Sequence, residues 1–246
     1  MADELLRERY VRVLEGIDQA CRAAGRFRSE VRLVAVSKLH PYALVGEAAG
    51  LGQTDFGESY VQEALQKRQD LAADPALASL AQNIRWHMIG HVQSRKAALV
   101  AGAFCLVHSL DSRKLADALE KALARPDAGQ KGRQGVLLEV NVGQEPQKAG
   151  VMCEDLAPLA DHVREHCPHL EIQGLMCLPP VFDAGDAARP YFSRLRELRD
   201  GLRARLGLPL PELSMGMSGD FAAAVAEGAT LVRIGTDIFG QRPARG

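Results

Sequence analysis

Several signals are missing from this chain, and each absence narrows its function. No run approaches the length of uninterrupted apolar residues needed to cross a bilayer. The opening MADELLRERYVRVLEG is charged and amphipathic, without the apolar stretch and cleavage site of a secretory signal. A cytoplasmic protein is expected. Cys21, Cys105, Cys153, Cys167 and Cys177 form no CxxC pair and are odd in number, which reads as reduced thiols filling a core, with no disulfide framework. An excess of either charge is also missing: 30 Lys and Arg against 31 Asp and Glu leave a formal charge of −1. Nucleic acid, which usually requires a basic excess, is not the expected partner. GxGxxG, HExxH and GxSxG are all absent, so the sequence offers no dinucleotide fingerprint, zinc-protease motif or nucleophile elbow.

What is there is a regular alternation of two periods. The 47% hydrophobic and 25% charged residues match a soluble globular chain. Leu6, Tyr10, Val13, Leu14, Ile17 and Cys21 recur at three- and four-residue steps, marking a leading helix that Gly25 ends. Strand-like runs follow at 31–37, 53–57, 84–89, 104–109, 135–142, 170–177, 211–215 and 230–235. Helical patterns lie between them at 42–50, 58–72, 93–101, 112–125, 153–167, 187–206 and 219–227. Strict β–α alternation implies a parallel sheet, and eight units in about 250 residues is the arithmetic of a TIM (β/α)8 barrel. A doubly wound open sheet is the alternative, but the first turn is SKLHP, without glycine. The expectation is one barrel domain over residues 1–246 with an extra N-terminal helix. Two loop-like stretches, 125–135 and 178–190, fall on the N-terminal and C-terminal faces of that barrel.

Barrel chemistry sits at the C-terminal ends of strands. Lys38 closes an otherwise apolar strand, in line with Val34 and Val36. Partial desolvation there would lower its pKa and favour a nucleophilic amine; a lysine snorkelling from the barrel mouth is the alternative. SMGMSGDF (214–221) and RIGTDIFG (233–240) follow the last two strands, where many such barrels bind phosphate. Ser218 and Thr236 add hydroxyls there, Gly219 and Gly235 add open backbone, and Arg233 adds charge. Met215, second in the first of these segments, is counted with the binding residues. The histidines at 87 and 91, and at 162, 166 and 169, lie in no recognised metal spacing. No metal is expected, and no catalytic residue is assigned.

VRLVAVSKLHP (31–41), FGESYVQE (56–63), WHMIGHVQSRK (86–96), HSLDS (108–112), LLEVNVGQEPQKAG (137–150), GLMCLPP (174–180), LSMGMSGDF (213–221) and EGATLVRIGTDIFGQR (227–242) together resemble the pyridoxal phosphate homeostasis proteins. These are single-domain relatives of the alanine racemase barrel, and the likeness runs from about residue 5 to residue 242. The resemblance implies a pyridoxal 5′-phosphate (PLP) carrier without established turnover, which buffers or delivers the cofactor. It implies a Schiff base on Lys38 and a phosphate cradle of Ser218, Gly219, Arg233, Gly235 and Thr236. Ser59 stands where the family usually has an Asn at the cofactor ring, with a helix cap as its simpler role. Asp237 stands where the family usually has Ala, and its carboxylate is expected to point away from the phosphate. An alanine racemase also needs a tyrosine from a second, β-rich domain, and this chain ends just after its eighth unit. The other readings are a low-efficiency PLP enzyme (racemase or lyase) and a Schiff-base aldolase-like barrel enzyme. Apo PLP enzymes are the implied recipients, neither nucleic acid nor membrane is a partner, and a monomer is expected.

Overall fold

The computed structural model describes residues 2–125, 132–180 and 184–241. Part of each expected loop, at 126–131 and at 181–183, lies outside the described residues, as do 242–246. All eight expected strands form: β1 (Arg32–Val36), β2 (Asp55–Glu58), β3 (Arg85–Met88), β4 (Leu106–Leu110), β5 (Gln134–Glu139), β6 (Leu170–Met176), β7 (Glu212–Ser214) and β8 (Leu231–Ile234). They pair in parallel, in chain order, and β1 closes on β8 with Arg32 opposite Leu231 and Val34 opposite Arg233. The barrel expectation holds.

Around the barrel run α1 (Ala2–Ala23), α2 (Tyr42–Gly50), α3 (Val61–Ala73), α4 (Ala78–Ala81), α5 (Ala97–Val100), α6 (Arg113–Leu123), α7 (Leu156–His166), α8 (Arg189–Leu206), α9 (Phe221–Ala226) and α10 (Thr236–Phe239). The single turns α4 and α10 have no periodic signal at their length. Helix α1 buries Leu6, Tyr10, Val13, Ile17 and Cys21, as its pattern requires. It ends where Gly25 takes a φ of 65° and the Arg26 N–H returns to the Cys21 carbonyl, a left-handed terminus that glycine adopts without strain.

Of the boundaries that differ from expectation, two have a clear local cause. Helix α3 starts at Val61 because Glu58 still belongs to β2, opposite Met88. Strand β5 stops at Glu139 because the Asn141 side chain pairs both ways with the Glu145 backbone and turns the chain.

Period-two alternation divides the strands between two cores. Val34, Leu106, Leu137, Met176 and Leu231 pack inside the barrel. Leu33, Ala35, Val136, Leu138, Leu213, Val232 and Ile234 face the helices. Each fully buried aliphatic side chain contributes about 1.5–3 kcal/mol. Cys21, Cys167 and Cys177 are buried in the outer core, and all five cysteines are free.

Candidate binding site

Lys38 lies two residues beyond β1, in a turn, rather than on the strand itself. The turn is fixed from both sides. Ser37 Oγ donates to Glu58 Oε1 at 2.7 Å, and Lys67 Nζ donates to that oxygen at 2.6 Å and to the Ser37 carbonyl at 2.8 Å. The Leu39 N–H donates to Glu63 Oε1 at 2.5 Å, and Leu39 takes a left-handed φ of 66°. A non-glycine residue holds that conformation only where its surroundings enforce it. Lys38 is therefore half-buried on a rigid support.

The lysine opens into a cavity of about 440 Å3 at the C-terminal mouth of the barrel, lined also by Glu139, Lys148, Leu178, Met217 and Gly219. That volume falls in the range of small-molecule sites. Around the mouth, the backbone N–H groups of Ser218, Gly219, Thr236 and Asp237 donate to no protein acceptor among the described residues. Together with the Ser218 and Thr236 hydroxyls they form a concentration of open donors after β7 and β8, suited to an oxyanion. Gly235 joins this rim to the lysine turn: a Cβ there would lie 3.0 Å from the Val36 carbonyl oxygen.

The expected site residues are not all brought together. Lys38 and Gly219 line the cavity, with Ser218 beside it. Thr236 lines a neighbouring pocket with Asp237 and with Arg9 and Arg12 of α1, and Asp237 does not line the Lys38 cavity. Met215 does not line the cavity. It is fully buried in the outer core, because Ser214 takes the inward phase of β7 and Met217 supplies the lining methionine. Arg233 is inside the barrel, but its guanidinium points toward β7 and β6, donating to Ser214 Oγ at 2.7 Å and to the Cys177 carbonyl at 3.0 Å. It is not directed at the open donors of the rim. Ser59 is half-buried and outside the cavity lining. It does not cap α3 either, whose first flanking residue is Tyr60 with no side-chain cap. Its backbone is clamped by Gly90, where a Cβ would lie 2.5 Å from the Ser59 carbonyl oxygen, and Ser109 Oγ holds Gly90 at 2.7 Å.

A buried polar chain beneath the cavity has no counterpart in the sequence reading. Asp55 Oδ1 meets His87 Nε2 at 2.9 Å, His87 Nδ1 meets His108 Nε2 at 2.9 Å, and His108 Nδ1 meets Ser214 Oγ at 2.8 Å. Through Ser214 the chain reaches Arg233. Burial opposes charge on His87, yet the adjacent Asp55 and Cys105 raise its pKa. Burial, with His87 and Arg233 nearby, drives the His108 pKa well below the ordinary value. Of the two imidazoles sharing the barrel interior, His87 thus takes up a proton more readily than His108. Above them, burial and Asp111 raise the Glu139 carboxyl to about 7, against the pull of Arg233. The signal was a glutamate interrupting the apolar run VLLEV.

Three further histidines contact carboxylates. His91 meets Asp111 at 3.3 Å, His162 meets Asp117 at 2.6 Å and His169 meets Glu120 at 2.5 Å. Although no metal set was expected, the fold gathers Asp117, His162 and Cys167, with ligand atoms within 4.8 Å of one another. Among the described residues, no helix is long and apolar enough to cross a membrane.

Comparison with known proteins agrees with this geometry. The alanine racemase N-terminal domain family matches residues 15–243. The pyridoxal phosphate homeostasis protein of Aquifex aeolicus is 43% identical over 235 residues, covering 96% of this chain and 97% of that one. Its counterpart in Pseudomonas aeruginosa is 44% identical over 237 residues, with 96% of each chain covered. The solved structure of Synechococcus elongatus PipY with PLP bound superposes with a TM-score of 0.76 at 34% identity, covering 91% of this chain and 100% of that one. Alanine racemase from Corynebacterium glutamicum, at 16% identity and a TM-score of 0.63, shares the fold. This chain belongs to the pyridoxal phosphate homeostasis protein family, within the alanine racemase N-terminal domain fold.

Proposed function

We propose that this protein binds pyridoxal 5′-phosphate as a Schiff base on Lys38 and serves intracellular PLP homeostasis, with residues 1–246 acting as one barrel domain. The observation that carries this reading is the cavity itself, where Lys38, on its fixed turn, opens beside a rim of open backbone donors. A PLP-bound relative supports it.

The residues present fit the cofactor. Ser218, Gly219, Gly235 and Thr236 would hold the phosphate through open N–H groups and hydroxyls, as expected for the segments after strands seven and eight. Arg233, pinned by Ser214 and Cys177, supplies a fixed cation beneath the cavity. When bound, PLP supplies an aldehyde that condenses reversibly with a primary amine. Lys38 presents that amine from a turn whose backbone cannot drift, and Lys67, Glu58 and Glu63 keep it there. Reversible holding suits a carrier that passes cofactor to apo PLP enzymes, acting as a cytoplasmic monomer.

Borohydride reduction of purified protein loaded with PLP, followed by peptide mass mapping, tests the assignment. The expected result is a pyridoxyl adduct on the peptide containing Lys38. An adduct confined to another lysine, or trapping only of a sugar phosphate, would overturn it.

A further inference from the structure

Glu139 is the last residue of β5, 4% exposed, and it lines the same cavity as Lys38. Asp111, Arg233 and the Cys177 thiol act on its carboxyl. A buried acid is costly to ionise, which favours its neutral, proton-bearing form. Elsewhere inside this barrel, carboxylates are matched: Asp55 by His87, and Glu58 by Lys67. Of these three carboxylates, Glu139 is the one that lines the cavity with Lys38.

Resting on the PLP reading above, we propose that Glu139 is the acid–base group of the cavity, driving both capture and release of phosphorylated aldehydes at Lys38. In capture, the lysine nitrogen bonds to the aldehyde carbon and one of its protons moves to the carbonyl oxygen, giving a hydroxyl. Protonated Glu139 gives its proton to that hydroxyl, the C–O bond breaks, and water leaves as the C=N bond forms. The products are a protonated imine, a Glu139 carboxylate and one water. In release, an attacking water returns its proton to the carboxylate, or an incoming primary amine takes the place of water and exchanges the aldehyde onto itself. The carboxylate left after capture also compensates the positive charge on the imine nitrogen.

The surroundings keep this acid available near neutrality, where proton exchange in both directions is fastest. Asp111, just past β4, opposes its ionisation, while Arg233 of β8 favours it. The buried Cys177 thiol lies beside the same carboxyl, and Lys38, Lys148 and Asp220 share the cavity wall. The net result is a carboxyl raised to about 7. A general acid so placed is worth about 10²–10⁴ in rate.

Stopped-flow absorbance of imine formation from PLP, followed from about pH 5 to pH 9, compares wild type, Glu139→Gln and Glu139→Asp. Wild-type rates should follow one group titrating near neutrality. Glu139→Gln should be slower by about a hundredfold and lose that pH dependence, and Glu139→Asp should recover part of both. Glu139→Gln should lose far less affinity for pyridoxine 5′-phosphate, which has no aldehyde, than it loses in rate. Infrared difference spectra of the cofactor-free protein should show a carboxyl titrating near neutrality that is missing in Glu139→Gln. Wild-type rates and an unchanged pH profile in Glu139→Gln would overturn the inference. Failure of wild type to form any imine would overturn the cofactor reading first, and separately.

Discussion

Lys67 Nζ lies 2.6 Å from Glu58 Oε1, with both side chains buried, and the same ammonium holds the Ser37 carbonyl next to Lys38. The pair thus couples the core of α3 to the reactive turn. Lys67→Ala should cost about 3–5 kcal/mol, because it leaves a buried carboxylate without its cation. Lys67→Met with Glu58→Gln should cost much less, since no charge is stranded. Urea unfolding of the three proteins measures the difference. Both variants should also slow imine formation, because the turn loses its support.

The pH dependence of stability follows from opposed shifts. Glu139 is raised from its ordinary 4.5 to about 7, so the folded state binds its proton more tightly than the unfolded state. Its contribution is complete below 4.5 and is lost as pH rises through about 7, a change of about 3 kcal/mol. His87 is also raised, and its contribution likewise falls away as pH rises above the ordinary histidine value. Asp55, though burial opposes its charge, is lowered by His87 and Thr54, so its contribution is lost only as pH falls below the ordinary aspartate range. His108, driven well below the ordinary value, opposes both raised groups, because its contribution is lost as pH falls below the ordinary histidine range. The cofactor-free protein should therefore melt highest at about pH 6.5 and lose Tm from there to pH 8. Calorimetry across that range should show a flatter curve for Glu139→Gln.

Lys38→Ala should abolish the imine absorbance and leave the fold intact. The side chain projects from a turn whose backbone is fixed by Ser37, Leu39 and their partners. PLP should still bind weakly through the open donors of Ser218, Gly219 and Thr236. A full imine spectrum in this variant would place the cofactor on another lysine.

The barrel was legible because each strand and helix carries its own period, and strand ends then point to the mouth. Lys38 and the Ser218–Gly219 and Gly235–Thr236 pairs were singled out by that logic. The inward phase of a strand was harder to read where both faces are apolar. In LSMGM (213–217) either alternation fits, and counting Met215 with the binding residues because it lies at a strand end put an outer-core side chain among them. The partners of Lys67 were invisible for a different reason. Its place among the buried Val61, Ala64 and Leu71 marks a buried charge, but no local pattern names Glu58 as its counter-ion. The His87–His108 contact likewise joins strands that only the barrel brings together.

Ser59 illustrates a site residue acting through backbone. With no cap on α3 and no place in the cavity lining, Ser59→Ala should leave stability and PLP affinity nearly unchanged. Gly90→Ala should not, because its Cβ would collide with the Ser59 backbone at 2.5 Å. Overpacking of this kind costs about 1–3 kcal/mol. Thermal melts of both variants would separate the two roles, and a larger loss in Ser59→Ala than in Gly90→Ala would reverse the assignment.

Arg233 offers the sharpest test of how the cavity divides its charges. A guanidinium aimed at the phosphate would discriminate PLP from pyridoxal, since a charge-assisted contact is worth about 1.5–3 kcal/mol. Here both terminal nitrogens are already engaged, one by Ser214 Oγ and one by the Cys177 carbonyl, away from the rim donors. Arg233→Ala should therefore weaken PLP and pyridoxal by similar factors. It should also strand two acceptors and a link to His108, destabilising the protein by about 2–4 kcal/mol. Losing the cation that favours its ionisation, Glu139 should titrate at higher pH, moving the midpoint of imine formation the same way. Calorimetric titration with both vitamers, alongside the pH profile, reads all three effects. Loss of PLP affinity more than about tenfold beyond that of pyridoxal would show that the guanidinium reaches the phosphate after all.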